Sequence, residues 1–262
     1  MKYLKYLIIG IIQGLTEPLP ISSSAHIIYI NYYLGLEPVN LTTEIIINFS
    51  STLAIFIFFY KDIKELITSA FKENKQNKSY IFLLIIASIP AAIIGLFFKD
   101  FIDENYLSFF SSSIMLLFTG LFLLYTYYIL KTQKNLNSEI NLKSSIVIGA
   151  FQGIALIPGL SRSGMTLTAG ITTNNSIKTS LRFSFFLYLI ASFGALVLEF
   201  ADLQINPNEY SYLFVSFFSS FITTSLSIRW FFNKINKNSI LFFSIYSFLF
   251  GSINLLEHFN II

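Results

Sequence analysis

The stretch "QGLTEPLPISSSAH", residues 13–26, breaks an apolar segment with a carboxylate, two prolines, three serines and an imidazole. A second stretch, "QGIALIPGLSRSGMT" over 152–166, follows the same plan. Adding 139 to Gly10, Gln13, Gly14, Ser22 and Ser24 gives Gly149, Gln152, Gly153, Ser161 and Ser163. The same unusual element therefore occurs twice.

Around these elements the chain is suited to lipid. Of its 262 residues, 54% are hydrophobic, 18% aromatic and only 12% charged, with a mean hydropathy of +0.67. A soluble domain carries about twice that charged fraction. No soluble fold of this size has the interior to hide so much apolar surface. The net charge of +3 is small and its basic residues cluster in short loops, which argues for membrane orientation and against nucleic-acid binding. The absence of cysteine excludes disulfides, thiol catalysis and Cys-ligated metals. Lys2 and Lys5 precede an apolar segment that runs into Glu17-Pro18 without a small-residue cleavage site, so the N-terminal segment reads as retained.

Charges mark the spans. Four uncharged gaps, between Lys78 and Lys99, Glu104 and Lys131, Glu209 and Arg229, and Lys237 and Glu257, are each near the ~20 residues needed to cross hydrocarbon. Residues 41–60, interrupted by Glu44, and residues 179–198 complete about six spans. Segment 61–79 carries Lys61, Lys64, Lys72, Lys75 and Lys78 and reads as an inside loop. Alternation then places 99–106 outside, 131–143 inside and 201–209 outside. Because 131–143 and 172–180 fall on one side, residues 144–171 must enter and return as a re-entrant helical hairpin. The same logic makes residues 6–34 a hairpin opening to the outside, although Lys2 and Lys5 then lie on the side the charge rule disfavours. The expected fold is an all-α polytopic membrane protein with two re-entrant helical hairpins in an inverted-topology repeat. It is a single domain, 1–262, with halves near 1–135 and 136–262. Such folds set broken helices and a polar site near the bilayer midplane, and irregular backbone is tolerated there only in a protein-lined setting.

The polar residues suit phosphoryl transfer. Gln13 and Glu17, four apart, share a helix face. Ser22, Ser23 and Ser24 follow the Pro18–Pro20 break, where a second half-helix would begin with free N–H groups that favour an anion. His26 can share a face with Ser22 or Ser23. Ser161, Arg162 and Ser163 open a helix after Pro158-Gly159, with Thr166 one turn beyond Arg162. The Arg162 fork matches phosphate oxygens and is costly in a membrane without an anionic partner. A hydroxyl attacks phosphorus, neighbours move protons, and positive groups hold the oxygens. Each residue also has a plainer reading: serines for close helix packing, Arg162 snorkelling from a helix end, Glu44 and His26 as interfacial residues. The phenylalanines and tyrosines are assigned no role.

At "GLTEPLPISSSAH", "PGLSRSGMT" and "RFSFFL" (182–187) the sequence resembles the BacA-type undecaprenyl-diphosphate phosphatases. The resemblance implies a hydrolase of the bacterial plasma membrane, with its site open to the outer face. Its reaction removes the terminal phosphate of undecaprenyl diphosphate and recycles the lipid carrier for peptidoglycan synthesis. It also implies a divalent cation, Mg²⁺ or Ca²⁺, and site residues Glu17, Ser23, His26, Arg162, Ser161 and Thr166. On that basis the catalytic set is Glu17, Ser23, His26 and Arg162, with Ser22, Ser24, Ser161, Ser163 and Thr166 binding substrate. Glu17 would hold the metal, with Gln13 as a weak ligand and Glu44 as a further candidate. The partners implied are the polyprenyl diphosphate lipid and the bilayer, with a homodimer compatible and no nucleic acid. The chain departs from the family pattern at Gln13, where an acidic residue is usual, and at Pro18, Ala25, Asn48 and Ile190. Two rival readings stay open: a polyprenyl-phosphate transporter or flippase, and a catalytically weakened homologue that binds the lipid.

Overall fold

The computed structural model describes residues 2–35, 41–72, 74–133, 136–199 and 206–261. Residues 134–135 and 201–205, read above as parts of an inner and an outer loop, lie outside the described residues. The chain forms helices α1 (Lys2–Thr16), α2 (Ser23–Tyr33), α3 (Leu41–Phe58), α4 (Tyr60–Phe71), α5 (Lys75–Phe97) and α6 (Lys99–Tyr106). These are followed by α7 (Phe109–Thr132), α8 (Leu142–Ile154), α9 (Arg162–Thr172), α10 (Ile177–Glu199), α11 (Tyr210–Lys234) and α12 (Lys237–His258). Six of them, α3, α5, α7, α10, α11 and α12, are long and apolar enough to cross a membrane. The protein is an all-α multi-pass membrane protein.

The pairs α1–α2 and α8–α9 are different in kind. At 1.5 Å per residue their helices span about 16–22 Å, short of the ~30 Å of hydrocarbon. Each pair folds back on itself. Asn137 N–H donates to the Asn174 carbonyl at 2.7 Å and Ser176 N–H to the Asn137 carbonyl at 2.9 Å, so the two ends of the second hairpin meet. The order of one hairpin and three spans occurs twice.

Helix direction gives the inversion. On α1, Tyr3 donates to Ser211 of α11, and the Leu15 carbonyl accepts from Ser227, so α1 runs parallel to α11. On α8, Ser145 donates to the Leu83 carbonyl of α5, and further along Gly153 abuts Ile94 and Pro90, so α8 runs parallel to α5. α5 is the second span and α11 the fifth, with two crossings, α7 and α10, between them. They therefore point in opposite directions, and the hairpins enter from opposite faces.

The repeated glycines make these contacts close. A Cβ at Gly14 would meet Thr223 and the Ser220 carbonyl of α11, and one at Gly149 would meet the Ala87 backbone of α5. Any larger residue would push the backbones apart, which is the small-residue rule for helices in lipid.

Segments 61–79 and 99–106, read as loops above, are largely helical. α4 has no buried residue; its apolar Ile63, Leu66 and Ile67 alternate with Lys61, Lys64 and Glu65 at helical spacing. That pattern suits a helix lying at the interface. Charge bounds a membrane span, but it does not end a helix.

Single cysteines at Ser138 and Ser176, in this chain without native cysteine, are expected to label from the same side of sealed vesicles. Labelling from opposite sides would make α8–α9 a full crossing and remove the inversion.

Candidate active site where the two hairpins meet

The hairpin tips interlock. Ser163 Oγ donates to the Leu19 carbonyl at 2.9 Å, joining the start of α9 to the first tip. Both second half-helices begin on a serine cap. Ser161 accepts from Gly164 N–H at 3.2 Å. Ser22 caps α2 with φ 64, a left-handed backbone that is costly for a residue with a Cβ and that clusters at functional sites.

Glu17 is the centre of the site. Its Oε1 pairs with Arg162 Nη2. Its Oε2 accepts from Ser23 Oγ at 2.5 Å and from Gln13 Nε2 at 3.0 Å. Gln13 Nε2 also donates to Asn48 Oδ1 on α3 at 2.8 Å. Gln13 and Ser23 of the first hairpin and Arg162 of the second are thereby tied to a single carboxylate, and Gln13 links it to Asn48 of one span. The Arg162 guanidinium lies over the Tyr188 ring of α10, 3.6 Å from its centroid, a cation–π contact. Arg162 Nη1 is buried and has no hydrogen-bond partner. A buried donor left unmet is costly, and here it points to an anion as its missing partner.

Two cavities adjoin at Ser23, Ser24 and Asn48, which line both. The larger, about 520 Å³, is walled by Ile27, Ile28, Ile47 and Phe109, with Gln13 and Glu44 among its polar residues. The smaller, about 310 Å³, holds Glu17, Ser22, Ser161, Arg162, Ser163 and Tyr188. Glu44 thus faces a cavity. The oxygen donors of Glu17, Gln13, Asn48 and Glu44 suit a hard divalent cation. Among the described residues no group of three or more His, Asp or Glu side chains could hold a metal. A cation here would rest on one or two carboxylates and on ligand oxygens, as Mg²⁺ commonly does.

Two expected site residues stand apart. His26 is buried and lines neither cavity. Its Nδ1 lies 2.7 Å from the Ser22 carbonyl and its Nε2 2.7 Å from the Tyr246 hydroxyl, with its ring stacked on Tyr246 and Phe250. The arrangement does not bring it to Ser23; it braces the strained cap at Ser22 instead. Thr166 is fully buried and bonds the Arg162 carbonyl at 2.8 Å and Ser184, which fixes α9 to α10. Helical spacing predicts a shared face but not which neighbour fills it. Tyr188 and Tyr246, assigned no role from sequence, both touch the expected site residues. The only signal for Tyr188 is its place directly after "RFSFFL".

Residues 6–253 match the family model described as bacitracin resistance protein BacA. The chain is 38% identical over 265 residues to undecaprenyl-diphosphatase 2 of Bacillus thuringiensis, covering 97% of each chain. It is 36% identical over 264 residues to undecaprenyl-diphosphatase 1 of Bacillus licheniformis, covering 95% of each. It is also 36% identical over 273 residues to an undecaprenyl-diphosphatase of Acholeplasma laidlawii, covering 97% of each.

Removing one member of the Glu17–Arg162 pair leaves a buried charge alone. Glu17→Gln is expected to destabilise the protein by about 3 kcal/mol, read as a fall in the thermal midpoint in detergent. Glu17→Gln combined with Arg162→Met should regain most of that loss. A double variant no more stable than the single one would show that the pair does not hold the hairpin tips together.

Proposed function

The chain belongs to the BacA family, and on that premise we propose that it hydrolyses undecaprenyl diphosphate to undecaprenyl phosphate and inorganic phosphate. The observation that carries this reading is the Ser23 hydroxyl on Glu17 Oε2, with Arg162 across the same carboxylate. A hydroxyl bonded to a carboxylate beside a guanidinium is the arrangement that nucleophilic phosphoryl transfer requires. The enzyme works in the bacterial plasma membrane, with the site open to the outer face, and recycles the lipid carrier of peptidoglycan synthesis.

In this reading the isoprenoid tail lies in the larger, apolar-walled cavity, and the distal phosphate reaches Arg162 in the smaller one. Arg162 Nη1 donates to a phosphate oxygen, and Ser161 and Ser163 line the same cavity. Ser23 Oγ bonds to the distal phosphorus as the bridging P–O bond breaks. Undecaprenyl phosphate leaves with the bridging oxygen, and the Ser23 proton passes to Glu17 Oε2. Water then attacks the phosphoserine. Glu17 returns its proton to Ser23 Oγ, and inorganic phosphate departs with the oxygen of the water. When bound, a divalent cation, Mg²⁺ or Ca²⁺, supplies charge neutralisation at the diphosphate, held by Glu17 with the Gln13 amide oxygen and Glu44. A transporter reading draws on the opposed hairpins alone; it gives no reason for a hydroxyl bonded to a carboxylate.

Phosphate release from undecaprenyl diphosphate by the purified full-length protein tests the proposal. Ser23→Ala should lose at least about a hundredfold. Arg162→Lys should lose most activity although it keeps the charge, because lysine lacks the planar fork and the aromatic stacking. Near-normal turnover in either variant would remove that residue from the chemistry.

Gln13 donates to Glu17 at the position where the family pattern has a second acid. Gln13→Glu adds a ligand charge, and ligand charge raises affinity for a hard divalent ion. The variant is expected to need less Mg²⁺ or Ca²⁺ for half-maximal phosphate release. An unchanged requirement would place the cation away from Gln13.

A further inference from the structure

Arg162 makes two kinds of contact, and a ligand competes for only one of them. Its N–H groups lie along the edge of a plane. On that edge Nη2 meets Glu17, while Nη1 is buried and without a partner. Its flat face lies over the Tyr188 ring, 3.6 Å from the centroid. An incoming anion takes up edge N–H groups, as Glu17 does, and leaves the stacked face alone. Tyr188 is thus the contact that Arg162 keeps whether its edge holds a carboxylate or a phosphate.

The ring is itself fixed. Tyr188 is buried on α10 and lines the smaller cavity beside Arg162. Its hydroxyl lies 2.9 Å from Thr52 Oγ1 on α3. Thr52 donates its own proton to the Asn48 carbonyl at 2.8 Å, so the tyrosine hydroxyl is the donor of the pair. Asn48 stands one turn before Thr52, and its side chain accepts from Gln13, which also donates to Glu17. One turn of α3 therefore holds both members of the ion pair. The carboxylate is reached through Asn48 and Gln13, the guanidinium through Thr52 and Tyr188.

We propose that Tyr188, anchored by Thr52, is a positioning residue that keeps the Arg162 guanidinium in place while its edge passes from Glu17 to the phosphate. This deepens the phosphatase reading and rests on it for the identity of the anion. Without the ring, Glu17 is left to orient the guanidinium, and a phosphate that competes with Glu17 would release the arginine it needs. With the ring, a long side chain is already ordered when the ligand arrives, so less freedom is lost on binding.

The test uses the full-length protein in detergent. Affinity for inorganic phosphate is read from the rise in thermal midpoint that phosphate produces, and kcat/KM from phosphate release on undecaprenyl diphosphate. Tyr188→Leu is expected to weaken phosphate affinity and to lower kcat/KM by about five- to thirtyfold each, the range of a desolvated cation–π contact. Tyr188→Phe should lose no more than about threefold, because the face that carries the attraction remains. Tyr188→Met fills much of the same space without a ring and should repeat the leucine result if that variant fails to fold. The decisive comparison is made in the Arg162→Lys background, where there is no flat cation to stack. There Tyr188→Leu should change either quantity by less than about twofold. An equal effect in both backgrounds would mean that Tyr188 acts through packing alone, and would overturn the proposal. So would a phenylalanine variant as impaired as the leucine one, or a leucine variant with unchanged phosphate affinity. In those cases the phosphatase stands as long as the unaltered protein releases phosphate. If it releases none, the phosphatase reading falls, and the same ordering of phosphate affinities decides whether Tyr188 holds Arg162 for an anion.

Discussion

A single carboxylate holds this structure and its site together. Glu17 lies just past the end of α1, deep among hydrophobic spans, and it is paired with Arg162 at the start of α9. Neither charge is tolerable alone at that depth. Their mutual attraction therefore makes the meeting of two hairpins from opposite faces a condition of stability. Everything chemical hangs on the same atoms: Ser23 and Gln13 share Oε2, and Arg162 is held to the Tyr188 face. In the proposed reaction the phosphate competes with Glu17 for the guanidinium, so the interaction that holds the hairpin tips together is the one the ligand takes over.

The ion pair can form only because the hairpins are seated to high precision. In lipid there is no hydrophobic drive between helices, so close backbone approach must supply the packing. Gly10 and Gly14 let α1 touch α11, and Gly149 and Gly153 let α8 touch α5. Hydroxyls then lock the pairs by bonding across them, as Ser145 does to Leu83 and Ser227 to Leu15. The buried polar residues of the spans are mostly serine and threonine, whose oxygens can satisfy themselves within a helix or across one. A hairpin that slipped by one turn would meet side chains where it now meets backbone, and Glu17 would no longer reach Arg162.

The fold was legible because its determinants are local. Uncharged gaps give the spans, and the repeat gives the hairpins. The serine caps were legible too, since a helix start after proline draws a hydroxyl to its free N–H groups. What stayed hidden depends on residues far apart in the chain. His26 lies three positions from Ser23, yet Tyr246, 220 residues away, captures its Nε2. Thr166 is spoken for by Arg162 and Ser184. Tyr188 reads as one aromatic among many until Arg162 is laid across it. α4 and α6 were missed for a different reason: an interfacial helix carries charge on one face, and charge density alone reads as loop.

The repeat also explains why a near-symmetric frame holds an asymmetric site. Under the same offset of 139, Ser23 corresponds to Arg162, Gln13 to Gln152 and Glu17 to Leu156. One position thus bears a hydroxyl in one half and a guanidinium in the other. The carboxylate that both require exists only once. The two glutamines record the difference. Gln13 donates to Glu17 and Asn48. Gln152 is as deeply buried, but no carboxylate stands one turn beyond it, and both its amide atoms are without a hydrogen-bond partner. A buried amide left unsatisfied costs free energy, so Gln152 does not persist for the stability of its own surroundings. Its place is set by the frame that both halves share. Duplication supplies two hairpins, two glycine seats and two helix starts facing one another. Divergence at Ser23/Arg162 and at Glu17/Leu156 gives that frame one hydroxyl, one carboxylate and one guanidinium that meet between the hairpin tips.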